Sequence, residues 1–277
     1  MKAYPCVMTI AGSDCSGGAG IQADIKTISA LGVYAASAVT SVTVQNTCGV
    51  REIFPVPPRI VGAQIEAVME DIRPESVKIG MVGDPEVAEA IAGSLLRFRP
   101  RFVVFDPVMV STSGCKLMDD RAVSVVVEKL FPLSALVTPN LSEAEVLAGR
   151  KIASPDEMER AAADLLRFGS GAVLVKGGHL PGGMMCDVLR VRGKEDAVRF
   201  ASPKIDSSNT HGTGCTLSSA IAAFLALGRP LESAVAEAKE YVYKGIEAGK
   251  DVRIGHGHGP LNHFHSPERM HIFCKDE

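Results

Sequence analysis

The sequence predicts an α/β fold in which a mainly parallel sheet is covered by helices on both faces. Apolar runs of strand length alternate with segments of helical spacing almost from end to end, the pattern of parallel strands joined by crossover helices. The strand-length runs are short, continuous and rich in Val and Ile, as strands buried on both faces must be. The helical segments often open on Pro or Asp, residues suited to a first helical turn.

Residues 7–11 form the first strand and run into Gly12-Ser13-Asp14-Cys15-Ser16-Gly17-Gly18-Ala19-Gly20, a loop too rich in glycine to serve only as a connection. Residues 20–31 follow as a helix. The next strand, 38–44, leads into Gln45-Asn46-Thr47. A helix at 58–71, a strand at 77–79 and a helix at 85–98 precede the strand 102–105, which ends at Asp106-Pro107-Val108-Met109. After a helix at 119–130, the strand 136–138 runs into Pro139-Asn140-Leu141-Ser142-Glu143. A helix at 155–168 then precedes the strand 172–175 and the turn Lys176-Gly177-Gly178-His179. Residues 186–191 and 197–201, joined by Arg192-Gly193-Lys194, read as an antiparallel hairpin. Helices at 213–227 and 231–248 complete one domain, residues 1–277, with no repeat or linker. Ligands of open parallel sheets gather beyond the carboxyl ends of the strands, and the polar motifs fall there together.

Composition narrows the function. With 46% hydrophobic residues among 277 the chain can bury a substantial core. Its formal net charge is −3, with Lys and Arg spread along the chain, which argues against nucleic acid or an anionic membrane as the main partner. No stretch resembles a signal peptide or approaches the ~20 apolar residues that span a bilayer. Cys6, Cys15, Cys48, Cys115, Cys186, Cys215 and Cys274 form no C-x-x-C pair, a usage suited to a reducing cytoplasm.

The most informative stretch is Asn209-Thr210-His211-Gly212-Thr213-Gly214-Cys215-Thr216, placed just before a small-residue apolar helix. Such a turn can aim several backbone N–H groups at one point, where the helix dipole adds positive charge. It suits a phosphate, or the charge that develops as a phosphoryl group moves. A helix N-terminus also predicts a lowered thiol pKa for Cys215, which makes this residue a candidate base. A tight turn with a packed cysteine is the alternative reading of the same residues.

In this order the motifs resemble the hydroxymethylpyrimidine/phosphomethylpyrimidine kinases of thiamine synthesis, members of the ribokinase-like superfamily. The resemblance runs from Met8-Thr9-Ile10-Ala11-Gly12-Ser13-Asp14 to Gly259-Pro260-Leu261-Asn262-His263-Phe264-His265. Ser16-Gly17-Gly18-Ala19-Gly20-Ile21-Gln22-Ala23-Asp24 and Thr138-Pro139-Asn140 are among its most specific pieces. It implies a single-domain, three-layer α/β/α fold, a homodimer, and transfer of phosphoryl from ATP, with Mg²⁺, to a hydroxymethyl group on a small pyrimidine. Gly212, Thr213, Gly214 and Cys215 would then present amides to the γ-phosphoryl, with the Cys215 side chain taking the alcohol proton. Asp24 and Gln45 would grip the aminopyrimidine, although many relatives carry Glu where Gln45 stands. Gly12, Ala19, Met81 and Val108 would line the acceptor pocket. Asp106 and the Asn140…Glu143 pair would hold metal and phosphate water, and Lys176 would meet the ATP phosphates as a point charge.

Three other readings compete. A pyridoxal or pyridoxine kinase also phosphorylates a hydroxymethyl on a nitrogen ring, so only Asp24, Gln45 and Met81 could separate it. A metabolite-sensing domain would be free to lose Cys215, Lys176 or the glycines, all of which are present. A cysteine acyl transferase would need a His and an orienting partner that the sequence does not identify. The histidine-rich stretch with His256, His258, His263, His265 and His271 lacks zinc-ligand spacing.

Overall fold

A computed structural model of the chain describes residues 2–110, 117–178, 180 and 182–274; Cys115 and His179 lie outside the described residues. After a short strand β1 (Lys2–Ala3), the buried β2 (Cys6–Asp14) leads through the glycine-rich loop to α1 (Gly20–Ala30). Strand β3 (Tyr34–Asn46) returns and folds back as β4 (Gly49–Pro55). Then α2 (Pro58–Asp71), β5 (Ser76–Ile79), α3 (Pro85–Phe98) and β6 (Phe102–Phe105) alternate. The chain continues through α4 (Asp120–Lys129), β7 (Leu136–Val137), α5 (Leu141–Ala148), α6 (Pro155–Leu165) and β8 (Ala172–Val175). The hairpin β9 (Met184–Val191) and β10 (Val198–Pro203) precedes α7 (Thr213–Ala226) and α8 (Leu231–Gly249). Finally β11 (Phe273–Cys274) pairs with β1.

The nine-stranded sheet has the order β10-β9-β8-β7-β6-β5-β2-β3-β4. Its centre is parallel and both ends are antiparallel. From β2 the chain moves outward to β3, then returns to the other side of β2 as β5. The strand order therefore reverses between β2 and β5, where a crevice opens beyond the carboxyl ends.

Alternation along each strand divides the core. Met8, Val77 and Val103 face the layer of α2, α3 and α4, whereas Val7, Val104 and Leu174 face α1, α7 and α8. Helix α7 is buried from Thr216 to its end, which explains why its sequence is apolar on every side.

Three elements differ from the sequence expectation. Strand β3 continues through Asn46, so Gln45 sits on a strand rather than in a loop beyond it. Strand β4 was hidden because Gly49–Pro55 is a partly exposed edge with charges at Arg51 and Glu52, and half-buried edges carry little apolar signal. Helix α5 replaces an expected polar loop; Asn140 and Glu143 form a reciprocal capping box that starts it.

Candidate active site

A cavity of about 690 Å³ opens beyond the carboxyl ends of the central strands. One wall begins at Asp14, where β2 ends. Its carboxylate accepts hydrogen bonds from Ser16 N (2.9 Å), Ser16 Oγ (2.7 Å), Gly18 N (3.2 Å) and Ala19 N (2.9 Å). His211 Nε2 also donates to it at 2.9 Å. Burial works against this charge, yet the hydrogen bonds hold Asp14 at about 2. The glycine-rich loop thus wraps around an anion that is stapled to the turn before α7. Gly212 has φ +78°, and a Cβ there would collide with the Gly18 carbonyl oxygen, so this close approach of the two loops requires glycine at 212.

Helix α7 begins beside that staple with no side chain capping it. Thr213 N is turned to Thr210 O at 3.3 Å. The next first-turn amides belong to Gly214 and Cys215, both of which line the cavity. A Cβ on Gly214 would lie 3.3 Å from Lys176 Nζ and 3.5 Å from Asp106 Oδ2. A helix N-terminus, a cation and a carboxylate therefore converge at one point.

Asp106 and Lys176 follow β6 and β8. Lys176 Nζ donates to Asp106 Oδ1 at 2.6 Å, and Thr138 Oγ1 donates to the same oxygen at 3.0 Å. Glu143 Oε2 accepts from Asn140 N at 2.8 Å, and Oε1 accepts from Met109 N at 3.3 Å. Burial, with Asp106 nearby, pushes Glu143 up to about 7 despite the opposing Lys176 charge. Asp106 and Glu143 in turn raise Lys176 against its own burial.

Gly12, Ala19, Gln45, Met81 and Val108 also line the cavity. At Gly12 a Cβ would come within 2.7 Å of Met81 Cε and 2.8 Å of Ser41 Oγ, so glycine lets these side chains pack against the backbone there. Gln45 Oε1 accepts from Thr43 Oγ1 at 3.1 Å, and Gln45 Nε2 lies 3.4 Å from His211 Nε2.

Two expectations are corrected. Asp24 does not reach the cavity: it is wholly buried on the inner face of α1. Its oxygens accept from Lys78 Nζ (2.9 and 2.8 Å), Thr9 Oγ1 (2.6 Å) and Ser219 Oγ (2.7 Å). Cys215 does not have a lowered thiol pKa. Burial pushes it up to about 11, with Asp24 and Asp106 adding to the rise, against Lys78 and a hydrogen bond from the Gly20 backbone.

Sequence reasoning missed Lys78, which borders the cavity from β5; a lysine inside Val77-Lys78-Ile79 was its only signal. It also missed Asp187, which accepts from Gly177 N at 2.8 Å and Lys239 Nζ at 2.6 Å and so ties the turn after β8 to α8. The histidine-rich stretch acts as a strap in the structure. His256 N and Gly257 N donate to Thr47 Oγ1 at 3.2 and 3.1 Å, and His211 N donates to Gly259 O at 3.0 Å. Among the described residues no three His, Cys, Asp or Glu side chains form a metal-binding group, and no helix is long and apolar enough to cross a membrane.

The chain is similar to known proteins along most of its length. A family model described as phosphomethylpyrimidine kinase matches residues 14–262. The chain is 51% identical over 259 residues to the hydroxymethylpyrimidine/phosphomethylpyrimidine kinase of Rhizobium meliloti (strain 1021), covering 93% of this chain and 96% of that one. It is 50% identical over 262 residues to the thiamine biosynthesis bifunctional protein ThiED of Geobacter sulfurreducens. That match covers 95% of this chain, which spans about half (53%) of the longer protein. Among solved structures, an ADP complex of Bacillus subtilis pyridoxal kinase superposes with a TM-score of 0.87 at 33% identity, over 94% of this chain and 98% of that one.

Proposed function

Because the chain belongs to the phosphomethylpyrimidine kinase family, we infer that it phosphorylates 4-amino-5-hydroxymethyl-2-methylpyrimidine and then the resulting monophosphate, in thiamine biosynthesis, with ATP as donor. The observation that carries this reading is the convergence of the Gly214 and Cys215 amides, Lys176 and Asp106 at the mouth of α7. Phosphoryl transfer depends chiefly on alignment and on stabilising negative charge, and that point offers both. Pyridoxal kinases share the fold at 33% identity, whereas the pyrimidine kinase of Rhizobium meliloti matches at 51%, so the pyrimidine is the favoured acceptor.

In this reading Gly12, Ala19, Met81 and Val108 bound the ring and Gln45 meets its polar edge. Gly212 and Thr213 set the turn, the Thr213 amide being held by Thr210 O, while Gly214 and Cys215 supply the amide end of the helix. Lys176 and Asn140 serve the nucleotide phosphates. Asp106 and Glu143 suit a hydrated Mg²⁺: they are hard oxygen donors, and a cation would relieve the repulsion that helps raise Glu143 to about 7. When bound, that cation neutralises phosphate charge.

Cys215 accepts the acceptor's proton. Burial pushes its thiol up to about 11, so at neutral pH the thiol form predominates and the base must be charged by its surroundings when it acts. The sheet and its helices act as one catalytic domain. The exposed Val42, Val44 and Phe54 on the β3–β4 hairpin support a homodimer, and the six described cysteines, none in a disulfide, support a cytoplasmic setting.

Purified protein with ATP and Mg²⁺ should convert the pyrimidine alcohol to its mono- and then its diphosphate, as read by mass spectrometry. Absence of any phosphorylated pyrimidine at high enzyme concentration would overturn the reading.

A further inference from the structure

The roles above leave Lys78 and Asp24 without a task, although both side chains are wholly buried. Burying an ammonium in a central strand is costly unless it is paired and held. Asp24 does this with both oxygens, and Thr9 and Ser219 anchor Asp24 in turn. The carboxylate is therefore fully engaged and not free to meet a ligand. Lys78 differs. Both of its hydrogen bonds among the described residues go to Asp24, which leaves a third N–H, and Lys78 lies just beneath the wall of the cavity that Cys215 lines, among its bordering residues though without exposed surface. Ser219 follows Cys215 by four residues on α7, so the two share a helix face. The Asp24 carboxylate packs against that face through Ser219 Oγ at 2.7 Å. The charged groups around Cys215 are Lys78 from β5, Asp24 from α1, Asp106 from the end of β6 and Lys176 from the end of β8, the last already paired with Asp106.

We propose that Lys78, fixed by Asp24, is a positioning residue for the acceptor step: its ammonium stabilises the negative charge shared by Cys215 Sγ and the acceptor oxygen as the proton passes between them. In that step the acceptor O–H bond breaks and its proton goes to the thiolate, giving the thiol. The new O–P bond forms as the γ-phosphoryl leaves ADP. One negative charge moves from sulfur to oxygen, and Lys78 is held beside its path. The proposal rests on the reading of Cys215 as proton acceptor.

The test removes the charge pair together, so that no buried charge is left unpaired. Lys78→Met/Asp24→Asn is compared with Lys78→Gln/Asp24→Asn, whose amides can still hydrogen-bond each other, and with Ser219→Ala, which keeps the ammonium; circular dichroism checks the folding of each. Alkylation of Cys215 by iodoacetamide, followed by peptide mass spectrometry without substrate, reports charge stabilisation at the sulfur. Both double variants should alkylate Cys215 a few-fold more slowly, because the Lys78 charge that lowers the thiol pKa outweighs the Asp24 charge that raises it, while Ser219→Ala should change little. Their single-turnover rates should fall further for the alcohol than for the monophosphate. A merely structural role predicts looser packing and faster alkylation. Unchanged or faster alkylation in whichever double variant folds overturns the proposal, as does an equal loss in both phosphorylation steps. Failure of the wild-type protein to phosphorylate the pyrimidine would instead count against the kinase reading and leave the alkylation result standing.

Discussion

Lys176 Nζ lies 2.6 Å from Asp106 Oδ1, and both side chains stand where a Cβ on Gly214 would touch them. The cation proposed to meet the nucleotide phosphates is thus already paired with the carboxylate proposed to serve the metal. Nucleotide binding must divide this pair's attention between each other and the incoming charges.

Lys176→Ala removes the ammonium that donates to Asp106 Oδ1 and leaves that oxygen, among the described residues, with the Thr138 hydroxyl. The variant should show a higher KM for ATP and a turnover reduced by about 10²-fold, the scale of losing one preorganised charge-stabilising group. The pyrimidine KM should stay near the wild-type value. Steady-state kinetics with each substrate varied in turn checks the split.

Glu143 holds its proton more tightly in the folded chain, up to about 7, than an ordinary carboxyl does. Such a group contributes fully below its unfolded pKa and loses that contribution as pH rises through its folded value. Stability without ligands should therefore decline between about pH 4.5 and 7, by at most on the order of 3 kcal/mol. Glu143→Gln should flatten this decline while abolishing activity. Urea unfolding at pH 5 and pH 8 on both proteins measures it.

Gly212 and Gly214 should respond differently to the same change. At Gly212, φ is +78° and a Cβ would strike the Gly18 carbonyl oxygen. Gly212→Ala should cost about 2 kcal/mol or more from backbone strain and collision. At Gly214 the nearest atom is the flexible end of Lys176 at 3.3 Å, so Gly214→Ala should fold normally and lose turnover instead. Thermal melts beside activity assays separate the two.

Cys215→Ala should slow the first phosphorylation by roughly 10²-fold or more and the second by much less. The monophosphate acceptor, with a second pKa near ~6, is mostly ionised already, and the amides remain. Because burial raises the thiol to about 11, the wild-type first step should also accelerate about tenfold per pH unit between pH 7 and 9. The second step should stay nearly flat across that range. Single-turnover rates for alcohol and monophosphate settle both points, and equal losses in Cys215→Ala would show a shape role only.

Much of the site could be read from the residues themselves. Gly212-Thr213-Gly214 before an apolar run announces a turn into a helix, because positive φ and helix starts are local steric matters. Asp106, Asn140 and Lys176 follow apolar strands, and parallel topology places strand ends on one edge. Gln45, by contrast, was expected in a loop and lies on β3, because the edge pairing with β4 that extends the strand is a contact no local pattern encodes. The Asn140…Glu143 spacing allows Glu143 as a helix N-terminal charge, and in the structure the pair forms the capping box that starts α5.

The sequence by itself determined the alternation of strands and helices, the glycine turns and the identity of the groups at the strand ends. These follow from hydrophobic periodicity and backbone sterics, which act over a few residues. Only the tertiary structure decided that Asp24 faces Lys78 instead of a ligand, and that the Cys215 thiol is raised instead of lowered. Both outcomes depend on desolvation and on charges brought together from α1, β5, β6 and α7. The electrostatic environment of a residue is set by what packs around it, and its sequence neighbours do not specify that.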